Sequence, residues 1–207
     1  MRFRLFYEGD LLSSANKSKR PAHKHDIRRA FHKQLQELWR VDGNLRDWVD
    51  RVDNNDVPKF QGIADRYGKW GHRWVPLVDD VHSTHCSLDV LMLRPGRVGG
   101  LIVETDIDNR LKTLFDALQI PTSQSQLEPP TSDEDPFFVL LENDSLISSV
   151  SVTTDRLLAT ERYIRNDIPD KLTLSRDQSA NRDHVVLIIS VAIHAAKTTT
   201  DNLHLIG

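Results

Sequence analysis

The sequence predicts one α+β domain, and three features of its hydrophobic pattern favour that class. Short apolar runs typical of strands occur at the start, in the middle and near the end of the 207 residues. Two longer segments carry apolar residues at helical spacing. The elements follow one another as strand, helix, several strands, helix and several strands, without an internal repeat, which is typical of α+β domains.

The predicted strands are short and end at turn residues. The chain opens with an aromatic-rich run, after which Gly9-Asp10 supply a turn signal. The last run has the near-continuous apolar character of a strand inside a sheet. Strands are expected over residues 2–9, 74–78, 86–93, 101–103, 137–141, 147–153 and 185–194.

Two helices are predicted, one on each side of a polar central region. The first follows a basic loop that contains Pro21, and Asp26 takes the position of its N-cap. The second begins at Asp108 and stops before Pro121. Between them, residues 41–72 are expected to form a loop with short helical pieces.

Cysteine content and hydropathy restrict the class of protein. The single Cys86 cannot form an internal disulfide, so no oxidising compartment is required. The longest apolar run, 185–196, is interrupted by Ser190 and His194 and is shorter than a membrane helix. The amino terminus turns acidic where a signal peptide would be apolar. We expect a soluble, cytoplasmic protein without a membrane partner.

The net charge of −3 argues against a general nucleic-acid binder, but the charge is unevenly distributed. Residues 1–40 hold ten Lys and Arg against four Asp and Glu, whereas residues 101–160 hold three against eleven. The acidic part includes a polar insertion over 122–136, which is expected to be a mobile loop. This division suggests a polyanion bound by one part of the chain and a cation bound by another.

The basic loop and first helix supply the candidate phosphate contacts. Such contacts position DNA without reading its sequence. A solvated helix face is the alternative interpretation of the same charges. The candidate DNA-binding residues are Lys17, Lys19, Arg20, Lys24, Arg28, Arg29 and Lys33.

The segment that begins at Asp106 contains the most informative chemistry. If it is a strand end, Asp106 and Asp108 point to the same side, because side chains alternate along a strand. Asp108 is also expected to be the N-cap of the second helix, with Lys112 one turn further on. Two carboxylates and an ammonium so placed suit Mg²⁺ and a phosphate. The alternative interpretation is that Asp106 and Asp108 only end a strand and cap a helix, with Lys112 as an ordinary i,i+4 partner of Asp108.

A second acidic turn, Glu142-Asn143-Asp144, lies between two predicted strands. A carboxylate from this turn completes the first pair if the two segments are neighbours in the fold. The metal-site hypothesis depends on that proximity.

These two segments resemble the RusA family of Holliday junction resolvases. The motif is Asp-x-Asp-Asn-x-x-Lys-x-x-x-Asp-Ala-Leu, here residues 106–118, followed by Asn143-Asp144 before a strand. The resemblance covers roughly residues 85–155, and the strand, loop and helix of 1–40 and the strand of 185–194 fit the family layout more loosely. It implies a single RusA-like domain over residues 1–207, with a mixed sheet, two main helices and inserted loops.

The resemblance also implies a reaction. Asp106, Asp108 and Asp144 would be the metal ligands and Lys112 the catalytic lysine. Phosphodiester hydrolysis with Mg²⁺, or with Mn²⁺, would follow, on four-way junctions or other branched DNA. Because a junction has approximate two-fold symmetry, a homodimer is expected. The alternatives are a non-catalytic DNA-binding or regulatory module on the same fold and an unrelated metal-binding protein.

Two groups of histidines invite a zinc interpretation, which their spacing does not favour. His23, His25 and His32 form one group, and His82 and His85 with the lone cysteine form the other. Neither has the paired spacing of a structural zinc site. We expect them to be core or surface histidines.

Overall fold

A computed structural model describes residues 1–13, 20–50, 59–94, 106–158, 183–199 and 202–203. Its helices and two sheets form a mixed α+β fold, which confirms the predicted class. The predicted strand at 101–103 and the candidate DNA contacts Lys17 and Lys19 lie outside the described residues. Arg20 and Asp106 are described through their backbone.

Eleven helices and strands make up the described fold. One strand, three helices and three further strands come before the helix of the motif, and three strands follow it. In chain order they are β1 (Arg2–Asp10), α1 (Arg20–Val41), α2 (Gly43–Asp50), α3 (Lys59–Arg66), β2 (Gly68–Lys69), β3 (His72–Val78), β4 (Thr84–Arg94), α4 (Asp106–Leu118), β5 (Phe137–Leu141), β6 (Ile147–Arg156) and β7 (His184–Ala195).

The larger sheet has four strands in the order β1-β7-β4-β6. β7 pairs antiparallel with both β1 and β4, whereas β4 and β6 run parallel. The interior position of β7 explains its near-continuous apolar run, because both of its edges and much of its two faces are covered. The prediction of a central final strand is confirmed.

The smaller sheet has the order β2-β3-β5, with β3 and β5 parallel. Parallel strands end at the same edge, so the chain after Val78 and the chain after Leu141 emerge side by side. The amide of Glu142 donates to the carbonyl of Val78 over 2.9 Å at that edge. The second acidic turn of the sequence therefore starts from a rigid sheet edge.

α1 begins at Arg20, earlier than predicted. Pro21 does not break the helix, because N–H groups in the first turn of a helix have no intrahelical acceptor, so the N–H that proline lacks is not needed there. Asp26 is consequently inside the helix and not its N-cap. The buried residues Ile27, Phe31 and Leu35 place α1 against the shared hydrophobic core.

The acidic insertion 122–136 is packed on α1, contrary to the expectation of a free loop. It contains two 3-10 turns, Gln124–Gln126 and Ser132–Glu134. The side chain of Glu134 is buried, and an imidazole nitrogen of His32 lies 3.1 Å from the carbonyl of Asp133. Polar composition alone did not reveal these contacts, because they depend on partners about a hundred residues away.

Among the described helices, none combines the length and apolar character that crossing a bilayer would require.

Candidate functional site

α4 is fixed to the chain that follows β1 by its buried polar residues. Arg110 is 3% exposed and donates to the carbonyl of Leu11 and to Asp183, the latter over 2.7 Å. Thr113 is also buried and donates to the carbonyl of Leu12 over 3.1 Å. These polar side chains of the motif are structural, and they hold the first turns of α4 at the end of β1.

The exposed side of α4 carries two of the four residues to which the resemblance assigns catalysis, Asp108 and Lys112. Asp108 and Lys112 are both exposed and stand four residues apart, so they lie on neighbouring turns of one face. The buried Leu114 and Leu118 are on the core side. α4 therefore separates packing residues from residues that a large substrate can reach.

The start of α4 corrects the predicted local geometry. The helix begins at Asp106, so Asp108 is its third residue and not the N-cap. Positions two apart on a helix lie about 200° apart around its axis. The strand alternation expected to align positions 106 and 108 is therefore absent.

A short 3-10 turn, Asp144–Leu146, presents the second acidic group. Asn143 caps it, because its side-chain oxygen accepts from the amide of Ser145 over 3.1 Å. Asp144 is exposed, and its amide donates to Oε1 of Gln119 over 2.8 Å. Gln119, which directly follows α4, thus attaches this turn to the end of the motif helix.

Glu142 has a different environment from Asp144. Its Oε2 accepts from the hydroxyl of Tyr67 over 3.1 Å and from the amide of Asp80 over 3.0 Å. Burial, together with the carboxylates of Asp79 and Glu142, raises the pKa of Tyr67 well above its usual range. Glu142 is therefore engaged in hydrogen bonds at the edge of the smaller sheet, and the exposed Asp144 is the better candidate for a metal ligand.

Within one chain, α4 separates the two acidic groups. Asp144 is attached at Gln119, beside the start of β6, whereas Asp108 lies in the first turn of the helix. The eleven residues from Asp108 to Gln119 correspond to about 16 Å along the helix axis. Because Asp144 is attached at the opposite end of α4 from Asp108, the two residues are not neighbours within one chain, contrary to the expectation from the sequence.

The candidate DNA contacts on α1 are largely committed to internal partners. Arg28 is 1% exposed and donates to the carbonyls of Gln119 and Asp116 over 3.3 and 2.7 Å, so its prediction as a phosphate contact is wrong. Lys24 forms an ion pair with Asp116. Of the predicted side chains described, Lys33 is exposed.

Arg29 pairs with the acidic insertion. Its guanidinium contacts Glu128 and Glu134, each over 2.5 Å. Burial opposes ionisation of Glu134, but hydrogen bonds from Arg29 and from the Thr131 amide outweigh it and lower the pKa of Glu134. The insertion thereby compensates positive charge on the helix predicted to face DNA.

A buried group that the sequence did not reveal joins three elements. His25 of α1, His72 of β3 and Glu134 have ligand atoms within 4.8 Å of one another. The sequence placed His25 with His23 and His32, but its partners in space are 47 and 109 residues away. No rule based on sequence spacing detects such a group, because a helix, a strand and a 3-10 turn bring its three residues together in the folded chain.

Acidification is expected to destabilise the fold through His25. Burial, with smaller contributions from Arg29 and Arg28, lowers the pKa of His25 from 6.5 to about 4. Its neutral form is therefore favoured in the folded state, and its contribution to stability, up to about 3 kcal/mol, is complete above pH 6.5 and lost as the pH falls towards 4.

Urea unfolding from pH 8 to 4.5 tests this dependence. The midpoint should be nearly constant at the alkaline end and fall below pH 6.5, with a smaller fall in His25→Gln. An equal fall in that variant would assign the acid sensitivity to other groups.

The fold and site together define an α+β protein with an exposed acidic helix face and a separate buried His-His-Glu group. Comparison with protein-family models, with curated proteins and with solved structures yields no match to this chain.

Proposed function

We propose that this protein is a divalent-metal-dependent endonuclease of the cytoplasm that cuts branched DNA, with four-way junctions as its substrate class. The observation that carries the proposal is the exposure pattern of the motif. Asp108, Lys112 and Asp144 are all exposed, whereas Arg110 and Thr113 of the same helix are buried and serve packing. The charged residues Asp108, Lys112 and Asp144 are therefore accessible to a polyanionic substrate.

The exposed residues fit a hard cation and a phosphate. Carboxylate oxygens are the ligands that Mg²⁺ prefers, with waters and phosphate oxygens completing its shell, and Mn²⁺ accepts the same donors. We assign Asp108 and Asp144 as ligands; Asp106, two residues earlier on the same helix, is not assigned to this ion. When bound, the ion offsets charge on the scissile phosphate and activates water at neutral pH.

Lys112 contributes a positive charge beside the carboxylates. An ammonium one helical turn from Asp108 can contact a phosphate oxygen held at the same helix face. Because negative charge increases on that phosphate during attack, Lys112 stabilises the transition state more than the ground state.

We propose that each site is shared by two chains of a homodimer. Because Asp144 is attached at the far end of α4 from Asp108, the second copy would have to place its Asp144 beside the first copy's Asp108. A two-fold axis then creates two equivalent sites. Two sites suit a substrate in which a pair of opposed strands must be cut.

A synthetic four-way junction tests the proposal. Incubation with the purified full chain and Mg²⁺ should give paired, symmetric nicks, and EDTA should abolish them. A linear duplex of the same sequence is the matched substrate control and should remain largely intact. Binding of the junction without nicks, in either Mg²⁺ or Mn²⁺, would instead support the non-catalytic DNA-binding module and contradict the enzyme.

A further inference from the structure

The buried group of His25, His72 and Glu134 has the composition and placement of a metal site. The three residues are 0%, 3% and 3% exposed. They come from a helix, from the first residue of a strand and from the 3-10 turn that precedes β5. Within the residues that the structure describes, this is the group of His, Cys, Asp and Glu side chains whose ligand atoms all lie close enough to share one ion.

Each imidazole of this group has one buried ring nitrogen without a hydrogen-bond partner in the described part of the chain. Nε2 of His25 and Nε2 of His72 are buried and have no hydrogen-bond partner among the described residues. Nδ1 of His72 lies 3.4 Å from the carbonyl of Trp70, an acceptor that fixes the proton on Nδ1. The lone pair of His72 Nε2 is consequently available, and leaving it unpaired in the interior is costly.

We propose that His25, His72 and Glu134 bind Zn²⁺ as a structural ion, with a water molecule as the fourth ligand. Two imidazole nitrogens and one carboxylate form a known protein ligand set for zinc. Imidazole also favours zinc over Mg²⁺, which prefers oxygen donors. This site is independent of the exposed carboxylates assigned to the nuclease reaction.

The surrounding charges permit a dication. Arg29 contacts Oε1 of Glu134 and the amide of Thr131 donates to Oε2, but each oxygen keeps a second lone pair, and Glu128 compensates the charge of Arg29.

Arg28 is the one nearby group that must adjust. Its Nη1 lies 3.4 Å from Nδ1 of His25, which places the imidazole proton on Nε2. Zinc binding at Nε2 requires that proton to leave Nε2 and this contact to lengthen. Arg28 loses little, because the carbonyls of Gln119 and Asp116 still accept from it.

The location indicates a structural ion. The ring of Phe137 packs 5.8 Å from that of His25, and the ring of Trp74 stacks on His72 at 5.2 Å, which excludes a substrate. An ion here connects α1 to β3 and to the acidic insertion. Zinc binding should therefore raise the unfolding temperature, because the unfolded chain does not hold the three ligands together.

Zinc stoichiometry and Co²⁺ spectroscopy test the proposal on the full chain. The protein is stripped with EDTA, reloaded with Zn²⁺ and analysed by mass spectrometry of the metal after gel filtration. We expect one Zn²⁺ per chain, a rise in Tm of about 5–10 °C at 100-fold excess over Kd, and the visible absorption of tetrahedral Co²⁺ in the substituted protein. Failure of the wild-type chain to retain zinc would overturn the proposal without any variant.

Two variants locate the ion. His72→Gln should weaken zinc affinity by more than about 100-fold, since even outer-shell changes cost 10- to 100-fold, and Glu134→Gln should weaken it as well. The half-buried His85 and the exposed His194, with ring centroids 5.5 Å apart, form the competing site. The matched control His85→Gln/His194→Gln should leave affinity within about twofold. Zinc lost in that control, or kept in His72→Gln, would assign the ion elsewhere.

Discussion

Replacement of Asp108 by Asn is expected to lower Mg²⁺-dependent cutting of a four-way junction by about a thousandfold. The amide removes one negative ligand from the exposed face of α4, and the metal is expected to contribute several kcal/mol of transition-state stabilisation. Because Asp108 is exposed and makes no part of the buried anchor at Arg110, folding should be unaffected. Single-turnover cutting of a labelled junction measures the effect.

The control for this variant is an exposed carboxylate elsewhere. Asp89 lies on β4 and is exposed, so Asp89→Asn changes the net charge equally and should leave cutting unchanged. Junction binding by Asp108→Asn, measured by gel shift, should be retained, since a lost negative charge does not weaken contact with DNA. Cutting that survives in Asp108→Asn would remove this residue from the reaction.

Replacement of Arg28 by Ala is expected to destabilise the fold by about 3 kcal/mol. The side chain is buried, and its loss leaves the carbonyls of Asp116 and Gln119 without a donor and opens a cavity beneath α1. For a chain of this size such a loss corresponds to a fall in Tm of about 6–12 °C. Thermal unfolding followed by circular dichroism measures it.

Lys33→Ala is the matched control on the same helix. Lys33 is exposed, so its removal should change Tm little and, if α1 contacts phosphate, should reduce junction binding and its salt dependence. Arg28→Ala should have the opposite profile: lower stability, with binding by the folded fraction unchanged. A stable Arg28→Ala protein with weakened binding would restore Arg28 as a DNA contact.

The strands were largely predictable because their signal is local. Phe137–Leu141 is a five-residue apolar run bounded by Pro136 and Glu142, and the observed strand has the predicted bounds. The apolar run of β7 indicated an interior strand, which the sheet order confirms. In both cases burial on the two faces of the strand determines the residue pattern directly.

The helix boundaries were less predictable because they depend on context. Pro21 reads as a breaker unless it falls in the first turn, and only the structure places the start of α1 at Arg20. Asp108 fits an N-cap, yet α4 begins at Asp106. Arg28 illustrates the same limit. A charged residue on an amphipathic helix is predicted to be exposed unless its distant acceptors are known, here the carbonyls of Asp116 in α4 and of Gln119.

The residues of the candidate site were predictable from the sequence, but their arrangement in space was not. The motif from Asp106 to Asp116 and the Asn143-Asp144 turn could be recognised from residue types and spacing, but the sequence does not give the distance between them. The attachment of Asp144 to Gln119, at the far end of α4 from Asp108, is a tertiary contact. The His25-His72-Glu134 group is tertiary throughout, and for that reason its spacing carried no signal.

The packing of the acidic insertion reduces the positive charge that α1 can present to DNA. Two carboxylates of the insertion neutralise Arg29, and Asp116 neutralises Lys24, so α1 presents less positive charge than its sequence suggests. The remaining predicted basic contacts are Lys33 and the segment that begins with Lys17. DNA binding through α1 is therefore expected to be weak unless a second copy contributes charge.

Mixing two inactive variants tests the shared acidic site most directly. Asp108→Asn and Asp144→Asn proteins, each inactive alone, are unfolded together, refolded and assayed on a four-way junction with Mg²⁺. If each site takes Asp108 from one chain and Asp144 from its partner, half of the dimers regain one intact site, and nicking returns to about a quarter of the wild-type level. No recovery in mixtures shown to contain mixed dimers would contradict the shared site, and full activity of either variant alone would remove that carboxylate from the reaction.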